Sequence, residues 1–291
     1  MPETVEFFVV DVFAERPLTG NPLTLVPDAD DLDVEQMRAV ARELKQSETT
    51  FVVRPTLPGA DVRLRSFTPS GAEVGGVGHH TLGAWLWLAA QGRFGPGHHH
   101  QEVGGSVLPV EVATAADGGV EVVMEQQPPV QGRVLEDVGP LAEALGLPTS
   151  SFASTPRPQV VSTGAGHLLV AVEDAGTVDG ARPGAGLLHV LAGVGGEGCY
   201  VWTRDAPDGT HASARFFNPT MGIGEDPATG TAAGPLAVLL TREGLVAPGT
   251  EVVVEQGRAI GRPSRLRVRV DGERVRLVGS GLVVGEGRLR L

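Results

Sequence analysis

The chain is short of cysteine, lysine and aromatic residues, and each shortage excludes something. Cys199 is the only cysteine, so no intrachain disulfide can form. Lys45 is the only lysine, and the other 22 of the 23 basic residues are arginine. A pyridoxal phosphate enzyme needs a Schiff-base lysine, so that reading would rest on Lys45 alone. Aromatic residues make up 4% of the 291 residues, against 41 glycines. Such a chain is rich in turns and strands and packs with Val, Leu and Ala. No apolar run is long enough to span a bilayer, and the first residues lack a basic-then-apolar leader, so a cytoplasmic protein without membrane partners is expected. A net charge of −12 argues against nucleic-acid partners, which need concentrated positive charge. Arginines cluster only between Arg258 and Arg276, where Arg265, Arg267 and Arg269 alternate with apolar residues as the solvent face of a strand does.

What the chain does have is an internal echo. Phe67-Thr-Pro69 leads through a Gly-rich turn to Gly78-His79-His80-Thr81, and Phe217-Asn-Pro219 leads through another to Thr229-Gly230-Thr231. His79 lies twelve residues after Phe67, and Thr229 twelve after Phe217. Both segments end in a run of small residues that reads as a helix start. A helix N-terminus presents free N–H groups and partial positive charge, so two such starts suit a carboxylate or an oxyanion.

The pattern around the echo predicts two α+β units. Strands are predicted over 5–12, 49–54 and 62–67, with a helix over 32–44. Residues 81–91 read as a helix apolar on every side, which belongs at the centre of a domain. A hairpin over 107–114 and 119–125 follows, and Gln126 to Gly132, with Pro128 and Pro129, reads as a linker. The second half repeats the order: strands over 159–162, 168–172, 199–203 and 213–217, short helices over 141–145 and 187–194, and a second apolar helix over 231–242. Three or four strands close the chain. The domains are set at 1–125 and 126–279.

Several residues carry chemistry, each with a plainer alternative. Glu48 lies where a helix hands over to an apolar strand, a position that can raise a carboxyl pKa toward neutrality and suit it to acid/base work; the alternative is a solvated loop residue. His79 and His80 open the first buried helix, where the local field favours neutral imidazole; they bind substrate or cap and pack. Asp226 and Thr231 flank the second helix start and either cap it or bind a ligand. His98, His99 and His100 follow Gly95-Pro96-Gly97 and read as an exposed loop rather than a metal site, whose ligands are spaced to converge. The glycines of 71–78 match neither a phosphate loop nor a dinucleotide fingerprint, and no serine sits in a nucleophile elbow.

Together these segments resemble the PhzF family of phenazine-biosynthesis-like isomerases over almost the whole chain. The resemblance is carried by Asp11-Val12-Phe13 with Gly20-Asn21-Pro22, by Ser47-Glu48-Thr49-Thr50-Phe51-Val52, by Gly78-His79-x-Thr81-Leu82, by Ser162-Thr163-Gly164 with His167-Leu168-Leu169-Val170, and by Glu225-Asp226-Pro227-Ala228-Thr229-Gly230-Thr231-Ala232. It implies a diaminopimelate-epimerase-like α+β fold of two similar domains, each a curved, mainly antiparallel sheet around a central helix. Residues 280–291 would return to the first domain, and the active site would lie in the cleft between the two. It also implies a homodimer that uses no cofactor and no metal. The implied activity moves a proton within a small carboxylate-bearing substrate such as trans-2,3-dihydro-3-hydroxyanthranilate. Glu48 would be acid and base, with His79 and Asp226 as catalytic partners. Gly78, His80, Gly230, Thr231 and Ala232 would bind the substrate, the two helix starts holding its carboxylate. His80 and Thr231 depart from the residues the family commonly carries, which bears on the substrate more than on the fold. Two-thiol racemases share the fold, but Cys199 lies in neither helix-start motif. A different secondary-metabolite intermediate as substrate, and a non-catalytic binding protein, are the other readings.

Overall fold

The computed structural model describes residues 3–291. In chain order the elements are β1 (Thr4–Val12), β2 (Asn21–Val26), α1 (Val34–Leu44), β3 (Thr49–Val53), β4 (Val62–Phe67), β5 (Glu73–Val74), α2 (His79–Ala90), β6 (Gly97–Val103), β7 (Ser106–Thr114) and β8 (Val120–Glu125). They continue with β9 (Val130–Val134), α3 (Gly139–Leu145), β10 (Gln159–Ser162), β11 (Gly166–Ala171), α4 (Ala175–Gly180), α5 (Gly186–Val194), β12 (Gly198–Thr203) and β13 (Ala212–Asn218). The last are β14 (Ile223–Asp226), α6 (Gly230–Arg242), β15 (Glu251–Gln256), β16 (Ser264–Asp271), β17 (Arg274–Gly279) and β18 (Gly281–Arg290). The chain forms two compact units: one runs to Met124 and takes in Val278–Leu291, and the other is Glu125–Leu277.

Strand pairing shows that the echo in the sequence is a repeated unit. In the first unit β18, β1 and β2 pair antiparallel, β2 and β3 parallel, β3 and β4 antiparallel, β4 and β6 parallel, and β6 and β7 antiparallel. In the second unit β9, β10 and β11 pair antiparallel, β11 and β12 parallel, β12 and β13 antiparallel, β13 and β15 parallel, and β15 and β16 antiparallel. The two orders are the same. Parallel neighbours need long crossovers, and helices fill those crossovers in both units.

Each sheet wraps one apolar helix. Helix α2 touches β1, β2, β3, β4 and β18; its Leu82, Ala84 and Trp85 are wholly buried. Helix α6 touches β10, β11 and β16; its Ala232, Ala233, Leu236 and Leu240 are wholly buried. Gly234 on α6 is fixed by contact: a Cβ there would stand 2.8 Å from Gln126 Cδ. A second layer packs on the other sheet face. In the first unit it is α1, where Met37, Val40 and Ala41 meet Phe51 and Phe67. In the second it is α3 and α5, where Leu141, Leu145, Leu187 and Leu191 meet Phe217. The two echo phenylalanines therefore occupy matching cores.

One local expectation is overturned and a second is met only in part. His98–His100 are not a loop but part of β6, which pairs residue by residue with β7. His99 stacks on Trp85 with ring centroids 5.4 Å apart, while His98 and His100 are exposed. The linker expected over 126–132 already contains the start of β9, and Gln126 is tied into the second unit through its N–H to the Val275 carbonyl. No helix is long and apolar enough to cross a membrane among the described residues.

Candidate active site

The first helix start is assembled by three segments. Helix α1 opens with a capping box between Asp33 and Gln36, and ends at Lys45, which takes the left-handed conformation (φ 54°) and donates its N–H to the Ala41 carbonyl. That reversal sends Ser47 and Glu48 to the mouth of β3. Helix α2 begins directly after Gly78, and no side chain caps its first turn. Thr81 Oγ1 accepts from the Gly78 N–H at 3.2 Å, which fixes the chain entering the helix.

This geometry brings Glu48 and His79 together. His79 Nε2 stands 3.2 Å from Glu48 Oε2 and 3.3 Å from Ser47 Oγ. The approach to Oε2 is off the line of a hydrogen bond, so that oxygen is buried without a donor. His80 is 4% exposed, and its Nε2 bonds the Gly76 carbonyl at 3.1 Å. Its ring lies edge-on to His79 with centroids 5.9 Å apart. One ligating atom from each of Glu48, His79 and His80 lies within 4.8 Å of the others.

The electrostatics reverse one expectation. Burial pushes the Glu48 carboxyl up, but the His79 and His80 rings beside it and the Ser47 hydroxyl together outweigh it, and the net shift is downward. Glu48 is therefore a carboxylate at neutral pH, not a group raised toward neutrality. Burial pulls His80 down to about 4, so its ring is neutral there.

The second helix start has different contents. Asp226 ends β14, and its carboxylate accepts a short hydrogen bond from the Thr229 hydroxyl. Gln256 organises the rest. Its Nε2 donates to the Asp226 carbonyl at 2.7 Å and to Thr229 Oγ1 at 3.0 Å. Its Oε1 accepts from Tyr200 Oη at 2.9 Å and from the Thr229 N–H at 3.2 Å. Gln126 Nε2 donates to the Gly230 carbonyl, and Thr163 Oγ1 donates to Gln126 Oε1. His167 Nε2 lies 3.2 Å from Thr231 Oγ1. No side chain caps the first turn of α6, whose residues Gly230, Thr231 and Ala232 follow Thr229.

Sequence reading missed Ser47, Gln126, Tyr200 and Gln256. A signal for Gln256 was present: on β15 it shares a face with Val252 and Val254, all wholly buried, and a polar residue in phase with a buried face needs internal hydrogen bonds. Cys199 is buried in β12, and burial pushes its thiol up to about 12, which makes it a core residue and not a nucleophile.

Both helix starts are held by a clamp that sequence reading also missed. Arg65 on β4 binds Glu73 on β5 through two hydrogen bonds of 2.7 and 2.8 Å, and its guanidinium lies 5.2 Å from the Phe67 ring centre. Arg215 on β13 binds Glu225 on β14 through two of 2.9 and 2.7 Å, and lies 4.9 Å from the Phe217 ring centre. Each clamp pins the hairpin that leads into its helix.

The two repeated sheet-and-helix units form a fold that solved epimerases share. A hydroxyproline epimerase from Agrobacterium vitis shares the fold, with a TM-score of 0.63 at 13% identity over 99% of this chain and 91% of that one. A PhzF-family phenazine biosynthesis protein from Bacillus anthracis superposes with a TM-score of 0.90 at 26% identity over the full length of both chains. In sequence, the trans-2,3-dihydro-3-hydroxyanthranilate isomerase of Pseudomonas aeruginosa is 36% identical over 98% of this chain and 99% of its own. The sequence pattern of the PhzC-PhzF family, described as phenazine biosynthesis-like protein, matches residues 10–287. The chain belongs to this family, and it is an isomerase of the PhzF type.

Proposed function

We propose that the protein shifts a proton within a small carboxylate-bearing substrate resembling trans-2,3-dihydro-3-hydroxyanthranilate, with Glu48 as the single acid and base and no cofactor. The observation that carries the reading is the buried, undonated Oε2 of Glu48 beside His79. That oxygen, without a donor, keeps a lone pair for a proton, and the lowered pKa of the carboxyl means that it rests in the base form. Glu48 takes the proton from a carbon acidified by conjugation, the electron pair moves into the adjoining π system, and the carboxylic acid returns the proton to a second carbon. The same lowered pKa makes that acid a ready donor.

His79 orients Glu48 and the polar substrate group beside it. Asp226 is the second polar contact to substrate. Gly78 and His80 at the start of α2, and Gly230, Thr231 and Ala232 at the start of α6, are the proposed substrate-binding residues. With the Gly78 N–H given to Thr81 and the Ala232 N–H to the Thr229 carbonyl, the backbone N–H groups of His80, Gly230 and Thr231 are those offered to an anionic group. Homodimer assembly is part of the same proposal; light scattering on the purified chain tests it, and a monomer would remove that part.

The test of function is purified protein with trans-2,3-dihydro-3-hydroxyanthranilate and no added cofactor, followed by absorbance and mass spectrometry. A product of unchanged mass and shifted absorbance is expected. Unchanged substrate at micromolar enzyme would move the reading to another carboxylate-bearing intermediate.

A further inference from the structure

Glu48, His79 and His80 form a donor set whose chemistry exceeds a proton shuttle. One carboxylate and two imidazoles suit a zinc-class divalent cation, and their three ligating atoms already lie within 4.8 Å of one another. Ligands on a zinc tetrahedron stand roughly 3.3 Å apart at ordinary bond lengths, and His79 Nε2 and Glu48 Oε2 are 3.2 Å apart. Oε2 is buried with no donor to satisfy it. His80 is held as metal-bound histidines commonly are, with one ring nitrogen on a backbone carbonyl: its Nε2 bonds the Gly76 carbonyl, leaving Nδ1 with the free lone pair. A Cβ at residue 78 would come 3.2 Å from that Nδ1, so glycine leaves the nitrogen uncovered.

We propose that a zinc-class cation binds Glu48, His79 and His80 and inhibits the isomerase by occupying its base. Coordination uses the Oε2 lone pair that would accept the substrate proton. Three protein ligands leave a fourth position open to water or to a substrate carboxylate, so the cation and a turning-over substrate exclude each other at Glu48. The binding claim stands on geometry alone; the inhibitory claim rests on the proposed role of Glu48.

The experiment separates the two. Chelator-treated protein is titrated with Zn²⁺ by calorimetry, and with Co²⁺ by visible ligand-field absorbance, in the absence of substrate. One equivalent binding at micromolar concentration, with the intense bands of a four-coordinate Co²⁺ site, is expected. His80→Asn and Glu48→Gln should each weaken Zn²⁺ binding by about tenfold or more. A His98→Ala/His100→Ala double variant should bind as the wild type does, because those exposed histidines on β6 are outside the set. Should one site variant not fold, the other and the wild-type Co²⁺ spectrum carry the test. Binding only at millimolar metal, binding that survives in both site variants, or binding lost in the β6 variant would overturn the site. Turnover should fall with Zn²⁺ and return with chelator; metal binding that leaves turnover unchanged or raises it would overturn the inhibitory role. Turnover without metal binding leaves the isomerase and removes this site. Metal binding without turnover leaves the site and removes the proposed substrate.

Discussion

At the start of α2 the chain places a carboxylate and two imidazoles within a few ångströms, and leaves a carboxylate oxygen without a donor. At the start of α6, on the same strand plan, the Asp226 carboxylate is bonded to Thr229, and Gln256 ties Thr229 to Tyr200. The first start leaves its carboxylate oxygen open, whereas the second binds its carboxylate into a network of amide and hydroxyl groups. The two copies of one strand plan thus carry different side-chain chemistry at the same position. The clamps differ in the same sense of burial. The Arg215 and Glu225 side chains are 9% and 13% exposed, against 17% and 41% for Arg65 and Glu73.

The clamps give the largest expected break in that comparison. Arg215→Ala removes a buried guanidinium from the half-buried Glu225 and from the carbonyls of Val178, Asp179 and Ala181, and should destabilise the protein by about 3 kcal/mol. Arg65→Ala, at a more exposed pair, should cost about 1 kcal/mol. Urea unfolding of both variants checks the ratio; equal losses would show that the two hairpins are held alike.

Next comes acid. Burial pulls His167 down to about 4 from its ordinary 6.5. Between those values the unfolded chain binds a proton that the folded chain does not. Stability is therefore full above pH 6.5 and falls as pH drops toward 4, by about 3 kcal/mol from this ring. His167→Gln should flatten that part of the stability–pH curve, read from unfolding at pH 7 and pH 4.5. An unchanged slope would mean that His167 is not the group responsible.

The third prediction sharpens the contrast in hydrogen bonding. Tyr200→Phe removes one donor to Gln256 and leaves its Oε1 with the Thr229 N–H, so a loss of about 1–2 kcal/mol is expected. Activity should fall in the same variant only as far as Thr229 and Asp226 shift. A variant as stable as the wild type would mean that the network does not depend on this link.

Much of the fold was legible because its signals are local. The runs at 81–91 and 231–242 are apolar on every side and could only be central helices. The twelve-residue spacings exposed the repeat. His98–His100 misled because Gly95-Pro96-Gly97 beside them signals a turn, while the pairing of β6 with β7 and the stacking of His99 on Trp85 are tertiary facts. Glu48 and His79 were each visible as candidates, but no sequence period joins residues that far apart; the family resemblance did. The direction of the Glu48 shift was misread because burial was foreseen while the adjoining imidazoles and the Ser47 hydroxyl were not. Gln256 and the two arginine clamps depend on strand register, which the pattern of residues alone did not supply.

The central claim is that Glu48 alone carries the proton. Its most direct test is Glu48→Gln, which keeps the side-chain shape and removes the base, assayed beside the wild type with trans-2,3-dihydro-3-hydroxyanthranilate in heavy water, with substrate binding measured separately. The account predicts turnover in the wild type, and in the variant retained binding with turnover and deuterium exchange lowered by about a thousandfold or more. Turnover in the variant near that of the wild type would contradict it.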